Sequence, residues 1–410
     1  MASRKSFHGS GYVRSYQIKG GTRWRFQIRV PVNPDLPELG TKPVTKNGFL
    51  TQKEATRAKD KAVADVERGL RIGSSIPTLT GYAENWLAGL DLANSTIAGY
   101  QRQLHRHVLP RIGRLPLDKI VPMTLRKLYA DLAIEAAPPI PGRWSEPKPL
   151  GPNSIHKIAV TMGAVLSAAV SDGLIAANPA LMTKTTRPPS LAARKAAKPE
   201  MSIWTEQQLE AFLLWLRDAR KDSEYPLWKL YAASGARRSE ILALRWSDID
   251  LKTARLQIRR TLDLEDPDPR ATKPPKNGEA RSLALSASAV AVLRQWRRLL
   301  ASRDLNAVKP GAWVFPFDKD WSRPRNPQSV SEMFTRRVTW ARSALGEDKL
   351  PELHLHGIRH TVVTLLIESG LDVAKVAKRV GHSSPAITLA IYTHATVKGD
   401  EIAAAVLDFG

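Results

Sequence analysis

Three stretches in the last half of a 410-residue chain hold arginine, histidine and tyrosine where the surrounding pattern reads as buried helix. In LYAASGARRSEILALRWSDID (230–250), Arg237 follows Gly235 at the start of an apolar helix, and Glu240 lies one turn on, able to orient its guanidinium. In LHLHGIRHTVVTLLIESG (353–370), His356 and Arg359 are three apart and share a helical face, ahead of Val362, Leu365 and Leu366. In VAKRVGHSSPAITLAIYTHAT (376–396), Gly381 ends one helix and His382 follows it. Ser384-Pro385 then opens a second helix that carries Tyr392. Each feature alone has a plain structural reading: a solvated arginine pair, a capped helix, a tyrosine at the rim of a core. Two arginines, two histidines, a tyrosine and a lysine together suit phosphoryl transfer. Arginines grip non-bridging phosphate oxygens in pairs, and a tyrosine hydroxyl can attack phosphorus to give a covalent intermediate. The ordinary tyrosine pKa near 10 requires that cationic setting, or a base, at neutral pH.

A metal site competes for the same histidines, since His356 and His360 are four apart. Position 357 is Gly, however, so the HExxH pattern fails, and the chain has no cysteine to complete a thiolate site. The missing cysteines also remove disulfides and thiol nucleophiles, and fit a reducing compartment. With 62 Lys+Arg against 39 Asp+Glu, the formal charge is +23, which calls for a polyanionic partner. No signal peptide is visible behind the basic N-terminus and no run approaches 18 apolar residues, so nucleic acid is expected rather than a membrane. Residues 1–75 carry +9 and residues 76–198 carry +8, against +6 for residues 199–410. That split predicts a binding half and a less charged chemical half.

The elements that must position these residues follow from periodicity. Trp24, Phe26, Ile28 and Val30 alternate along a strand, with Arg23, Arg25 and Arg29 on its other face, and Gly20-Gly21 predict the hairpin before it. A Thr51/Glu54 capping pattern opens a helix through Ala55, Ala58, Ala62, Val66 and Leu70. The basic face is either a solvated sheet surface or one that enters a major groove. Helices are predicted over 79–90, 95–109 (with Ser95 as N-cap), 122–135 and 153–174. They are studded with Arg102, Arg106, Arg111, Arg114, Lys119, Arg126 and Lys127, and a proline-rich loop covers 138–152. The basic stretch KTTRPPSLAARKAAKPE (184–200) reads as a semi-rigid linker. Beyond it come helices at 205–219, 225–233 and near 238–245. Strands at 254–264 and 280–285 flank the loop EDPDPRATKPPKNGE, and helices follow to the C-terminus.

The SGARRSE…LRWSDID, HGIRH and GHSS…IYTH segments, in order, resemble the tyrosine recombinase, or phage integrase, family. The resemblance spans 199–410 and extends more loosely over 1–198. It implies a multidomain chain: a three-stranded sheet plus helix that binds arm-type DNA (1–75), an all-α core-binding bundle (76–183), the basic linker (184–200) and a mixed α+β catalytic domain (201–410). It implies that Tyr392 is the nucleophile, forming a 3′-phosphotyrosyl link and freeing a 5′-hydroxyl. Arg237 and Arg359 would clamp the phosphate, His356 would be the acid/base, and His382 would donate to a phosphate oxygen. A hairpin lysine would protonate the leaving oxygen. Lys276 fits best, since Arg281 and Leu285 follow it as in the family, with Lys273 as the rival. Arg23, Arg25, Arg29, Arg102 and Arg106 would contact DNA. Ser234, Ala236 and Val380 depart from the family's usual residues without removing a chemical group. Strand exchange of this kind needs neither ATP nor metal and runs in a homotetramer on double-stranded DNA, with core and arm attachment sites. A host DNA-bending protein and an excisionase are implied accessory partners, and the bacterial cytoplasm and nucleoid the location. Residues 397–410, with Ile402, Ala405, Val406 and Leu407, are a candidate segment for packing on a neighbouring subunit, or else a final helix packed in cis. A relaxing topoisomerase and a DNA-binding protein with a dead site are the rival functions.

Overall fold

The structure, a computed structural model, describes residues 11–32, 40–67, 76–136, 148–197, 202–276 and 278–393. The chain forms two compact units, Met1–Lys198 and Pro199–Gly410.

The first unit begins with an antiparallel sheet of β1 (Tyr12–Ile18), β2 (Gly21–Pro31) and β3 (Thr41–Phe49), in the order β1-β2-β3, followed by α1 (Gln52–Glu67). The alternation in β2 does what period-two patterns do. Phe26, Ile28 and Val30 are buried against Ala58, Ala62 and Val66 of α1, and the intervening arginines take the other face. Ile18 pairs with Gly21, so the two turn residues are Lys19 and Gly20. The hairpin therefore sits one residue earlier than expected, and Gly21, at φ +115°, begins the strand. Thr51 Oγ1 accepts from Glu54 N–H as the capping pattern predicts, while the Glu54 carboxylate accepts from Leu50 N–H (3.0 Å).

A separate apolar core holds α2 (Leu79–Ala88), α3 (Asn94–Gln103), α4 (Leu109–Ile112), α5 (Pro122–Ile134) and α6 (Pro152–Ser171). Ser95 does not cap α3. The helix starts at Asn94 after Ala93, with no side-chain cap. It runs into a π turn at Leu104–Val108 that keeps both of those residues buried. Among the described residues, α6 is the one helix whose length and composition would suffice to cross a bilayer. Here its Ile155, Ile158, Met162, Val165 and Leu166 face fills the core. The stretch expected as a linker is largely helical: α7 (Thr183–Thr186) packs on α5, and α8 (Leu191–Ala196) packs on α6. Asn153 Nδ2 donates to Arg194 C=O at that second contact.

The second unit starts with α9 (Glu206–Leu214), which continues as a π turn over Trp215–Ala219, then α10 (Tyr225–Ser234) and α11 (Arg238–Leu242). Short strands β4 (Ile249–Asp250), β5 (Arg255–Ile258), β6 (Thr261–Leu262), β7 (Thr272–Lys273) and β8 (Arg281–Ala284) come next. They form an antiparallel sheet ordered β4-β5-β8 and a separate β6-β7 pair, in which β6 is the end of the strand predicted over 254–264 and β7 lies inside the predicted loop. The helices expected from there to the C-terminus are interrupted by a hairpin of β9 (Pro316–Phe317) and β10 (Asp320–Pro324). That hairpin lies between α12 (Ala287–Arg303) and α13 (Pro327–Leu345). The chain then runs through α14 (Leu355–Glu368), α15 (Val373–Val380) and α16 (Pro385–Thr393). Trp204, Phe212, Trp228 and Phe334 are fully buried and in ring contact at the heart of this core. Ile391 of α16 packs with Val363, Val376 and Val380, which fixes the last helix on α14 and α15. Residues 397–410, the proposed exchange segment, lie outside the described residues.

Candidate active site

The site is organised around the end of α15. A helix leaves its last carbonyls without intrahelical partners and carries partial negative charge there. Three consecutive carbonyls at this end each accept from an arginine of another element. Arg281 Nε donates to Arg379 C=O (3.0 Å), Arg359 Nη1 to Val380 C=O (2.6 Å), and Arg237 Nη2 to Gly381 C=O. Gly381 is required twice over. Its φ of +75° is left-handed, and a Cβ there would lie 2.7 Å from Arg281 Nη1. Arg359 Nη1 also donates to Gly235 C=O (2.8 Å), at the left-handed end of α10 that leads into Arg237. The paired backbone turns thus set both arginines that the sequence singled out.

Glu240 is 1% exposed and accepts four hydrogen bonds. Arg237 supplies its backbone N–H (2.8 Å) and Nη1 (2.9 Å), and Arg281 supplies Nη1 (3.0 Å) and Nη2 (2.6 Å). Burial pushes the Glu240 carboxyl pKa up, but the Arg281 and Arg237 guanidiniums outweigh it and hold it below the usual range. Arg359 is 3% exposed. Its pKa is pulled down to about 9, first by burial and then by Arg237, which still leaves it a cation at neutral pH. Among the described residues nothing accepts from Arg359 Nη2, although that atom is buried. Buried donors are almost always satisfied, and Arg359 Nη2 shares this exception with Arg379 Nε of α15.

His356 lies in the first turn of α14, three residues before Arg359, and its ring meets His360 edge-on at 4.6 Å. The residue keeps an exposed edge, but desolvation by the atoms packed around its ring lowers its pKa, and Arg359, Arg237 and Arg238 lower it further. His382 is pulled down to about 3, by burial first and then by Arg359 and Arg237. Its Nδ1 meets the buried Thr388 hydroxyl at 2.7 Å. Thr388 and Tyr392 are one turn apart on α16, so the half-buried Tyr392 shares the helix face that holds His382. Among the described residues no group of three or more His, Cys, Asp or Glu side chains is placed to hold a metal ion.

The two candidate lysines differ in setting. Lys273 is ion-paired to Asp263 (2.8 Å) beside the β6-β7 pairing. Lys276 is exposed in the turn closed by Gly278 N–H donating to Pro275 C=O (2.7 Å), five residues before Arg281. Arg281 and Thr388 were missed as site residues. For Arg281 a signal existed: it alternates with the buried Leu283 and Leu285, which places an arginine on the core face of β8.

In the first unit, Arg23 and Arg25 are half-buried and Arg29 is exposed, with Arg29 Nε donating to Thr41 Oγ1 (2.9 Å). The strand register adds Arg14, directly opposite Arg25, and Tyr16, opposite Arg23. Arg102 is exposed in the last turn of α3, and Arg106 is half-buried in the π turn.

The pattern of the phage integrase family matches residues 203–398, and that of the phage integrase N-terminal SAM-like domain matches residues 78–133. A prophage phiRv2 integrase sequence of Mycobacterium tuberculosis is 26% identical over 329 residues, covering 80% of this chain and 76% of that one. Among solved structures, the Tn1549 transposon integrase in complex with a circular intermediate DNA superposes with a TM-score of 0.63 at 20% identity, over 81% of this chain and all of that one. The lambda integrase tetramer bound to a Holliday junction superposes with a TM-score of 0.56 at 14% identity, over 96% and 98%. Both likenesses concern the fold. With the two family patterns in sequence order, and the arginines, histidines and tyrosine of the motifs carried by one cluster of helices, the chain belongs to the phage integrase family of tyrosine recombinases.

Proposed function

We propose that this recombinase is an integrase that joins and excises a phage or other mobile element through a 3′-phosphotyrosyl intermediate. The observation that carries the reading is the pair of guanidiniums fixed by one backbone turn, with Arg359 Nη2 buried and without an acceptor among the described residues. A non-bridging phosphate oxygen is the acceptor that chemistry supplies. Arg237 and Arg359 clamp the scissile phosphate, and Glu240 orients Arg237. Tyr392 attacks phosphorus. His356, kept neutral by its setting, takes the phenolic proton. The neutral His382 ring accepts the Thr388 hydroxyl proton at Nδ1 and donates from Nε2 to a phosphate oxygen. Lys276 protonates the leaving 5′-oxygen, and the ion pair that occupies Lys273 favours this choice. The phosphotyrosine retains the energy of the phosphodiester, so no ATP or metal is needed for the exchange.

The division of labour follows the two cores of the first unit. Residues 1–75 are proposed to hold arm-type DNA on the face carrying Arg14, Arg23, Arg25 and Arg29. Like charges directly opposed across strands, as Arg14 and Arg25 are, destabilise a sheet unless an anion separates them. Residues 76–183 are proposed to hold core DNA with Arg102 and Arg106, and 184–200 to lead into the catalytic domain at 201–410. Exchange would take place in a homotetramer in the bacterial cytoplasm, at the nucleoid, with a host bending protein and an excisionase setting direction. The test is a nicked duplex spanning the crossover point mapped from the element's own junctions. Wild type should form a covalent adduct on it and recombine two such sites, and Tyr392→Phe should bind without forming the adduct. An adduct in the variant would refute the nucleophile, and relaxation without recombination under every partner condition would refute the integrase.

A further inference from the structure

Two buried carboxylates bracket the segment that carries Lys276. On its entry side, Arg260 precedes β6 and donates Nη1 (2.9 Å) and Nη2 (3.3 Å) to Asp248, which is buried. On its exit side, Arg281 opens β8 and gives both terminal nitrogens to Glu240 and its Nε to Arg379 C=O. The exit side differs in one respect: the carboxylate and the helix end that hold Arg281 also hold Arg237. We propose that Arg281 is a positioning residue for the leaving-group proton, tying the Lys276 turn to the frame that grips the phosphate. The proposal rests on the reading of Lys276 as the acid.

The step it serves is specific. Tyr392 Oη forms a bond to phosphorus and passes its proton to His356. The P–O5′ bond breaks, and O5′ keeps the electron pair and takes a proton from Lys276 Nζ. A substrate with sulfur in place of O5′ loses a thiolate, which leaves unprotonated because a thiol pKa is about 8.5. Sulfur should therefore cure defects in proton delivery and leave defects in phosphate grip untouched.

The experiment measures single-turnover adduct formation by the full chain on the nicked junction duplex, with oxygen or sulfur at the scissile 5′ position. Arg281→Met should slow the oxygen substrate by roughly 10²-fold, within the range for loss of a general acid, and come within about threefold of wild type on sulfur. Arg281→Lys keeps the charge but cannot span Glu240 and the Arg379 carbonyl, so it should be slowed about tenfold on oxygen and cured likewise. If Arg281→Met does not fold, Arg281→Lys carries the test by itself. Arg237→Ala should remain slow on both substrates. A wild-type rate for the Arg281 variants on oxygen, or an equal loss on both substrates beside a cured Lys276→Ala, would overturn the proposal alone. Lys276→Ala left uncured by sulfur would overturn the lysine assignment, and the proposal with it.

Discussion

Removing the Glu240 carboxylate tests the arrangement of the site through stability and rate together. In Glu240→Ala, four hydrogen bonds from Arg237 and Arg281 are lost at a position almost fully closed to water. At about 1.5–3 kcal/mol each, a simple sum would exceed the measured cost of breaking buried ion pairs, about 3–5 kcal/mol. The lower figure governs, because bonds sharing one acceptor are not additive and Arg237 is open enough to recover some hydration. For a unit of this size, at about 2–4 °C per kcal/mol, the melting point should fall by roughly 6–20 °C. Glu240→Gln preserves volume but offers one acceptor end to four donors and turns an amide N–H₂ toward the others. It should lose about half as much, since charge-assisted bonds are roughly twice as strong as neutral ones. Both variants should cleave about 10²–10³-fold more slowly, as expected when a transition-state donor loses its aim. The pH dependence has a fixed sign. A carboxyl whose folded pKa is depressed stabilises above its unfolded value, near 4.3, and that stabilisation disappears as pH falls through the folded value. The gap in melting point between wild type and Glu240→Gln should therefore close below about pH 4. Calorimetry across pH 3–8 with single-turnover cleavage at pH 7.5 measures all of this. A Glu240→Ala melting point within 2 °C of wild type, together with an undiminished rate, would refute the shared-carboxylate account.

Three further outcomes follow from particular contacts. Gly381→Ala should lose more melting temperature than Gly370→Ala. Both glycines have left-handed φ (+75° and +86°), but a Cβ at Gly381 meets the Arg281 guanidinium and one at Gly370 meets nothing within 4 Å. Equal losses would show that Arg281 does not pack there. Because His356 and His382 are both shifted below the ordinary histidine value, cleavage at subsaturating DNA should show no acid limb with a midpoint at or above 6.5. Such a limb would mean that one of them is charged in the free enzyme. Deleting residues 1–75 should leave junction-duplex cleavage within about threefold while abolishing integration, and should flatten the salt dependence of binding. Loss of cleavage by a folded truncation would contradict the proposed split.

The motifs were legible because chemistry constrains residue type and helical spacing constrains facing. The i, i+3 relation of His356 and Arg359 and the Gly381 helix stop are both plain in the sequence. Strands β1 and β2, α1 and most helix spans follow from periodicity, with the hairpin turn displaced by one residue, whereas β3 (TKPVTKNGF) carries no apolar alternation and forms by pairing with β2. Ser95 shows the limit of local signals: a good capping residue stands one position inside the helix, and tertiary burial of Leu104 and Val108 decides the course of that helix. The linker was misjudged because proline and charge resemble a solvated segment, whereas α7 and α8 form by packing on α5 and α6. Thr388 left no signal at all. A threonine inside an apolar helix gains its role only when the chain between His382 and Pro385 brings it back to the imidazole.

The charge of the chain also takes on a more local meaning. Three guanidiniums, Arg237, Arg281 and Arg359, converge on the end of α15, and the carboxylate bonded to two of them is Glu240. With both histidines neutral, this cluster holds two more positive charges than negative ones. Helix-end carbonyls supply partial negative charge and fix the directions of the guanidiniums, but they do not neutralise them. The fall of the Arg359 pKa to about 9 comes first from burial and then from the repulsion of Arg237. In the proposed mechanism a phosphodiester entering between Arg237 and Arg359 would bring a full negative charge and an acceptor for the buried Nη2, and so relieve both at once. The transition state, with more negative charge on the phosphorus oxygens, relieves them further. Of the +23 on this chain, +17 lies in residues 1–198, which the proposed division of labour assigns to holding DNA, and on that proposal selectivity for one phosphate falls to the excess of two charges gathered at the end of α15.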